Sequence, residues 1–412
     1  MISVEDALQT ILGSVSPLGM EKVGILTALG RVIGEEIYAG RQIPPRDNSA
    51  VDGYALRVAD TLGASEKNPA VLDIIEDLPA GSIPQKSVAK GQAARIMTGA
   101  LVPEGADEVV PMENTKTENG RVSVFVTAIK GQNIRRAGED VQLGEKVILK
   151  GEIIRPAHIG MLASLGRSFI LVHQRPLIAI VSSGDELVDI DETPSQWKIV
   201  SSNSYSLAAL IQESGAIPMQ MGIARDRRED LIAKFMAAMR ADLILSSGGV
   251  SVGDFDLVKD VMRQEGNRMH FWQVAMKPGQ PLAFGALQKV PVIGLPGNPV
   301  SSMVSFEQFA RPAILKMMGS ENLFRRTIKA RLTEEITKKP GKRHFIRGII
   351  ERTSDGYIAR TTGGQGSGIL KSMVKANSLI ILPEEMTRAT EGEEVTVQLL
   401  NDSLYMSSEP GY

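Results

Sequence analysis

Apolar residues at helical spacing open the chain. Val4, Ala7, Leu8, Ile11 and Leu12 follow Ser3, whose hydroxyl suits a helix N-cap. A second stretch, 24–38, sets Leu26, Leu29, Val32 and Ile33 on one side and predicts another helix. Two prolines and an Asp-Asn pair in Ile43-Pro44-Pro45-Arg46-Asp47-Asn48 then break the pattern and mark a boundary. From 46 to 143, short apolar runs such as Val71–Ile75 and Val122–Val126 alternate with Gly and Pro turns, which predicts a β-rich insert. A short helix over 157–165, within the mixed segment 144–174, predicts a return to the N-terminal helices. The expected first domain is therefore helical and discontinuous, 1–45 with 144–174, around an insert of 46–143.

Over 175–324 the texture changes again. Pro176–Val181, Ile217–Ile223, Asp242–Leu245 and Pro291–Leu295 are short, nearly all-apolar runs. They alternate with helical stretches at 204–214, 228–240 and 299–318. Strands apolar on both faces, separated by helices, predict a multidomain α/β protein whose central unit is a doubly wound parallel sheet. Strand-like runs at 327–336, 345–352, 357–360, 378–382 and 394–400, with short turns between them, predict a small β-barrel or sandwich over 325–412.

Composition narrows the possible functions. Hydrophobic residues make up 43% of 412 and aromatics only 4%, so the cores are aliphatic, with 18 methionines as gap-fillers. A formal net charge of −2 gives no large basic surface for nucleic acid. The absence of cysteine excludes disulfides and thiolate metal sites. No apolar run approaches the ~20 residues of a membrane span, and the N-terminus lacks a signal-peptide pattern. The expectation is a cytoplasmic protein that meets neither membrane nor nucleic acid.

In open α/β sheets, ligands bind beyond the carboxyl ends of the strands. Three such ends carry unusual loops. Ser246-Ser247-Gly248-Gly249 precedes a predicted helix; adjacent glycines let backbone N–H groups approach an anion, and a tight turn is the plainer alternative. Pro296-Gly297-Asn298-Pro299 places Asn298 at an N-cap and Pro299 at the first helical position, with Ser301 in the first turn; simple capping also explains it. Ser183-Gly184-Asp185-Glu186-Leu187 brings two carboxylates to the same edge, Asp226 follows the second strand, and Asp254 and Asp256 follow the double glycine. Each acid alone reads as a solvated cap. Carboxylates beside an anion loop repel the ligand unless a hard cation intervenes, and Mg²⁺ is the usual one. Lys277 adds positive charge at this edge or is simply exposed. The insert offers three further loops: Asn48–Ala55 with Asp52, Arg95–Ala100 with Thr98, and Ala137–Val141 with Asp140. No phosphate-binding G-x-x-x-x-G-K-[ST] run, G-x-S-x-G elbow or close histidine pair is present.

Seven strings, in order, resemble the MoeA family, which includes the C-terminal domain of gephyrin. They are Val51-Asp52-Gly53-Tyr54-Ala55, Ile96-Met97-Thr98-Gly99-Ala100, Ala137-Gly138-Glu139-Asp140, Ser183-Gly184-Asp185-Glu186-Leu187, Ser247-Gly248-Gly249-Val250-Ser251-Val252-Gly253, Lys277-Pro278-Gly279 and Leu295-Pro296-Gly297-Asn298-Pro299-Val300-Ser301. Together they span almost the whole chain. The resemblance implies an elongated four-domain subunit, a homodimer, and insertion of molybdenum from molybdate into adenylylated molybdopterin with release of AMP. It implies that Asp52, Asp140, Glu186, Asp226 and Asp256 are the functional acids, with Glu186, Asp226 and Asp256 as Mg²⁺ ligands. Thr98, Lys277, Pro296, Pro299, Arg347 and Ser367 are then expected to shape the pocket, beside the loop residues Ser183, Gly184, Asp185, Ser247, Gly248, Gly249, Gly297, Asn298 and Ser301. Gln273 and Gln280 stand where members often carry lysine, leaving less positive charge near Lys277. Val51 and the Ser182-Ser183 pair depart more mildly.

Two other readings stay open. Molybdopterin adenylylation is carried out by proteins that resemble 175–324 alone; the extra domains here speak against it. A non-catalytic scaffold of the gephyrin type is the other; retention of the five acids speaks against it.

Overall fold

The computed structural model describes residues 1–248, 267–271, 273–406 and 410. Ser3 caps the first helix, Val4–Gly13: its hydroxyl accepts from the Asp6 amide at 3.0 Å. Val4, Ala7 and Ile11 face inward, and they join the core of the α/β sheet described below.

The expected helix over 24–38 is absent. Met20–Gly24 is a strand antiparallel to Phe169–His173, and Ile37–Tyr38 pairs with Lys146–Ile148. Val32 and Ile33 bridge to Ile153 and Val172. Ala28, Ile33 and Ile37 share a core with Ile148, Leu162 and Ile170, whereas Leu26 and Leu29 are exposed. Gly24, Gly30 and Gly34 each cost a helix about 1 kcal/mol, and distant strand partners satisfy the backbone instead. Helix content in 1–45 and 144–174 is confined to Val4–Gly13 and Pro156–Ser164.

The insert is a six-stranded sheet in the order Glu108–Pro111, Gly53–Leu56, Gln92–Ile96, Ala70–Leu78, Arg121–Val124, Thr115–Glu118. Both its faces are covered by small aliphatic cores.

The central sheet runs Ile217–Ala224, Leu177–Ser183, Leu243–Ser247, Val290–Leu295, Ala283–Leu287, Arg268–Phe271. The first four strands are parallel, and Ala283–Leu287 pairs antiparallel with the strand on each side of it. The antiparallel extension was not expected. It arises because Ala283–Leu287 and Val290–Leu295 are joined by a tight turn with Gln288 at φ 52°, a connection only antiparallel neighbours permit. One face packs against Ser202–Glu213 and the helix after Asn298; the other packs against Arg228–Ala238 through Leu231 and Phe235. The expected single helix over 299–318 is interrupted: Pro299–Ser305 passes through a π turn, Phe306–Ala310, into Arg311–Met317. Pro312 has no amide hydrogen and its ring displaces the carbonyl four residues back, so the ladder widens there.

The C-terminal strands close on themselves. Arg343–Thr353, Gly356–Thr361, Thr327–Leu332, Glu394–Leu399 and Ser378–Leu382 follow one another, and the last pairs back onto the first. Closure makes a five-stranded barrel and removes its edges. Met276–Lys277 pairs in parallel with Arg343–His344, joining the barrel to the central sheet. Among the described residues, no helix is long and apolar enough to cross a membrane.

Candidate functional site

The carboxyl ends of four parallel strands lie level. Ser183 stands opposite Ala224, Ser182 opposite Ser247, and Ser247 opposite Leu295. The loops after these strands therefore converge, and they wall a cavity of about 940 Å³. The loops touch. Gly248 has φ +87°, and a Cβ there would sit 2.4 Å from the Ser183 carbonyl oxygen, so only glycine permits this approach. The Glu186 carboxylate folds back over Gly184, where a Cβ would meet it at 2.5 Å.

Of the expected residues, Ser183, Gly184, Glu186, Asp226, Ser247, Gly248, Pro296, Gly297, Asn298 and Pro299 line this cavity. Asp185 supports it from behind. Its amide donates to Asp226 Oδ2 and its own Oδ1 accepts from the Asp226 amide, both at 3.2 Å. Asn298 holds the N-cap position of the following helix at the cavity wall but makes no side-chain capping hydrogen bond. Gly249 and Asp256, like Asp254, fall outside the described residues. Among the described residues there is no group of three or more metal-ligating acids or histidines; Glu186 and Asp226 are the two carboxylates on the wall.

One contributor was not anticipated from sequence. Asn203, in the first turn of the helix Ser202–Glu213, donates through Nδ2 to Ser247 Oγ at 2.8 Å and the Gly297 carbonyl at 2.7 Å. It ties two of the loops together, and its buried Oδ1 has no partner among the described residues. Ser201 and Ser202 line the cavity beside it. The N-terminus of this helix thus points positive potential at the cavity, which favours an anion. The run Ser201-Ser202-Asn203-Ser204 after a strand was the available signal; it reads locally as a cap and nothing more.

A second cavity, about 1240 Å³, adjoins the first and shares Gln280, Pro281, Pro296 and Asn298 with it. It lies where the barrel meets the sheet. Lys277, Ser301, Arg347 and Ser367 line it, as do Lys338, Lys339, Lys342 and His344. The Ser367 carbonyl accepts from the Val300 amide at 3.1 Å, docking its loop on the helix start. Arg347 is only 1% exposed. Its Nε donates to Ser372 Oγ at 3.1 Å and its terminal nitrogen to the Gly366 carbonyl at 3.2 Å. No carboxylate pairs with it among the described residues, and burial lowers its pKa to about 10, leaving it charged at neutral pH. His344 is pushed down to about 4, by burial first and then by Lys338, Lys277 and Lys342. The cavity is electropositive, and its histidine is neutral.

The insert residues stand apart. Asp52 Oδ1 accepts from the Thr98 amide and from Thr98 Oγ1, each at 2.7 Å, and these bonds lower its pKa. Asp140 is exposed, with its amide bonded to the Ile43 carbonyl. Asp52, Thr98 and Asp140 line neither cavity of their own chain.

Family models for the MoeA N-terminal region (domain I and II), a probable molybdopterin binding domain and the MoeA C-terminal region (domain IV) match residues 2–166, 179–316 and 329–400. The chain is 38% identical over 385 residues to molybdopterin molybdenumtransferase 2 of Mycobacterium tuberculosis, covering 91% of this chain and 94% of that one. It is 34% identical over 414 residues to the molybdopterin molybdenumtransferase of Haemophilus influenzae, covering 98% and 100%. The crystal structure of the molybdopterin biosynthesis moeA protein from Pyrococcus horikoshii OT3 superposes with a TM-score of 0.82 at 33% identity, over 97% of this chain and 100% of that one.

Proposed function

This chain belongs to the MoeA family of molybdopterin molybdenumtransferases, which insert molybdenum into molybdopterin, and from that premise we propose how its two cavities divide the reaction. Adenylylated molybdopterin occupies the cavity at the strand ends, and molybdate enters through the basic cavity beside it. Cleavage of the phosphoanhydride releases AMP and leaves molybdenum on the dithiolene sulfurs, which the substrate itself supplies. The observation that carries this reading is the juncture: a glycine- and serine-walled cavity with two carboxylates adjoins one with a buried arginine that has no carboxylate partner among the described residues.

The residues present fit Mg²⁺. Glu186 and Asp226 offer hard oxygen ligands on one wall, and Ser183 lines the same cavity with a buried hydroxyl that lacks a partner among the described residues. Bound there with Asp256 as a third ligand, Mg²⁺ would neutralise phosphate charge and polarise the anhydride. The chain's own groups do the rest. The Asp185–Asp226 tie fixes the acidic loops, and Asn203 fixes the loops after the third and fourth parallel strands. Arg347 and Lys277 hold the oxyanion until an oxygen nucleophile, from molybdate or water, attacks phosphorus.

The reading includes a homodimer in the cytoplasm. Around the paired strands Met20–Gly24 and Phe169–His173, the side chains of Met20, Leu26, Leu29, Phe169 and Leu171 are exposed, an apolar surface suited to a second copy. A two-fold partner also offers a place for Asp52, Thr98 and Asp140 in a composite site.

The test is direct. Adenylylated molybdopterin is supplied with Mg²⁺, with or without molybdate, and AMP release and pterin-bound molybdenum are measured. The expected result is AMP release that depends on molybdate and stops in excess chelator. AMP release that ignores molybdate overturns the division of cavities; release that ignores the chelator overturns the Mg²⁺ site.

A further inference from the structure

We infer that Lys342, a barrel residue held by Gln280, is a specificity-determining cation that passes the tetrahedral oxyanion from the basic cavity to the reaction cavity. The inference rests on the reading that molybdate is the incoming substrate.

Position comes first. The pairing of Met276–Lys277 with Arg343–His344 places Lys342 next to the segment that links the barrel to the central sheet. Its Nζ donates to the side-chain oxygen of Gln280, a residue 62 positions away that lines both cavities. Lys342 thus stands at their shared rim. Lys342 lines the second cavity, as Lys338 and Lys339 do; its bond to Gln280 is what brings it to the rim of the first.

Charge comes next. Of the nearby acids, Glu5 and Glu384 both pair with Arg343. Lys338 donates to the carbonyls of Lys342 and Glu384 at 3.0 and 3.2 Å, which fixes the loop. Lys342 differs. Among the described residues its ammonium has no carboxylate within ion-pair distance, and its hydrogen-bond partner is a neutral amide. An amide oxygen orients an ammonium without cancelling its charge, and it uses one of three donors. Two donors and the full charge stay available to a ligand. After burial, Lys338, Lys277 and Lys342 are the charges that push His344 down.

The pairing also explains why a glutamine suits position 280. A glutamate there would form a salt bridge with Lys342 and switch off its charge toward a ligand.

Full-length wild type, Lys342→Met, Lys342→Arg and Gln280→Glu are compared at saturating adenylylated molybdopterin. Molybdate KM and kcat come from AMP release, and binding of molybdate alone comes from calorimetry. Lys342→Met and Gln280→Glu are expected to raise molybdate KM and weaken direct binding by roughly tenfold, with a smaller effect on kcat. Lys342→Arg keeps the charge and is expected to recover most of the loss. Wild-type molybdate affinity in both Lys342→Met and Gln280→Glu overturns the inference. So does an equal rise in KM for both substrates, which marks a merely structural role. Should Lys342→Met fail to fold, Gln280→Glu, which keeps the lysine, decides alone. A wild-type enzyme that neither binds nor uses molybdate overturns instead the reading on which the inference stands.

Discussion

The amide of Asp185 donates to the Asp226 carboxylate, and the amide of Asp226 donates to the Asp185 carboxylate, each at 3.2 Å. The reciprocal pair locks the loops after two neighbouring parallel strands into one ledge. Glu186, next in sequence, and Asp226 are thereby presented to the same cavity.

Asp226→Asn keeps an acceptor for the Asp185 amide but removes the charge offered to a cation. Turnover is expected to fall by about 100-fold or more, the scale of a lost electrostatic contact in a reaction site, with an unchanged melting temperature. Asp226→Ala also loses the tie and should melt slightly earlier. Normal turnover in Asp226→Asn would show that its charge plays no part.

Arg347→Lys is expected to fail nearly as badly as Arg347→Met. The guanidinium reaches Ser372 and the Gly366 carbonyl at once, a fork that an ammonium cannot reproduce. Arg347→Met should keep its fold, because it replaces a buried charge that has no carboxylate partner among the described residues with an apolar chain and so relieves desolvation. Molybdate KM measured alongside circular dichroism checks this, and full rescue by lysine contradicts it.

Glu108 sets a pH dependence of stability in the insert. It is buried, and desolvation raises its pKa from 4.5 to about 7. Below about pH 4.5 both folded and unfolded forms hold the proton, and burial carries no ionisation penalty. As pH rises toward 7 the unfolded form ionises first, so stability falls, and the full loss is present above pH 7. Its ceiling is about 3 kcal/mol. Glu108→Gln should melt close to wild type at pH 4.5 and later than wild type at pH 8. A constant gap between the two proteins across that range would refute this origin.

Shared sites predict complementation. Asp52→Ala and Asp226→Ala subunits, each inactive alone, should regain activity when mixed and allowed to exchange, since a heterodimer holds one intact composite site. If exchange is demonstrated and activity stays absent, the insert serves its own subunit or none.

Much of this architecture was legible in the sequence because its signals are local. Ser3 caps its helix, and the apolar runs ending at Ser183, Ser247 and Leu295 are buried parallel strands with their glycine and acidic loops at one edge. Period and turn chemistry need only neighbours a few residues apart. What tertiary structure alone decided depends on partners far along the chain. The segment 24–38 has helical spacing, yet its backbone is satisfied by 146–173. Asn203 reads as a cap until two strands bring Ser247 and Gly297 to it. Arg347 looks like any strand arginine until barrel closure buries it. Gln280 marks a missing positive charge in sequence, but the fold sets Lys342 against it. Hydrophobic periodicity specifies which face of an element is buried; it carries no information about which distant polar group will share that burial, and desolvation there fixes the charge and reach of the site.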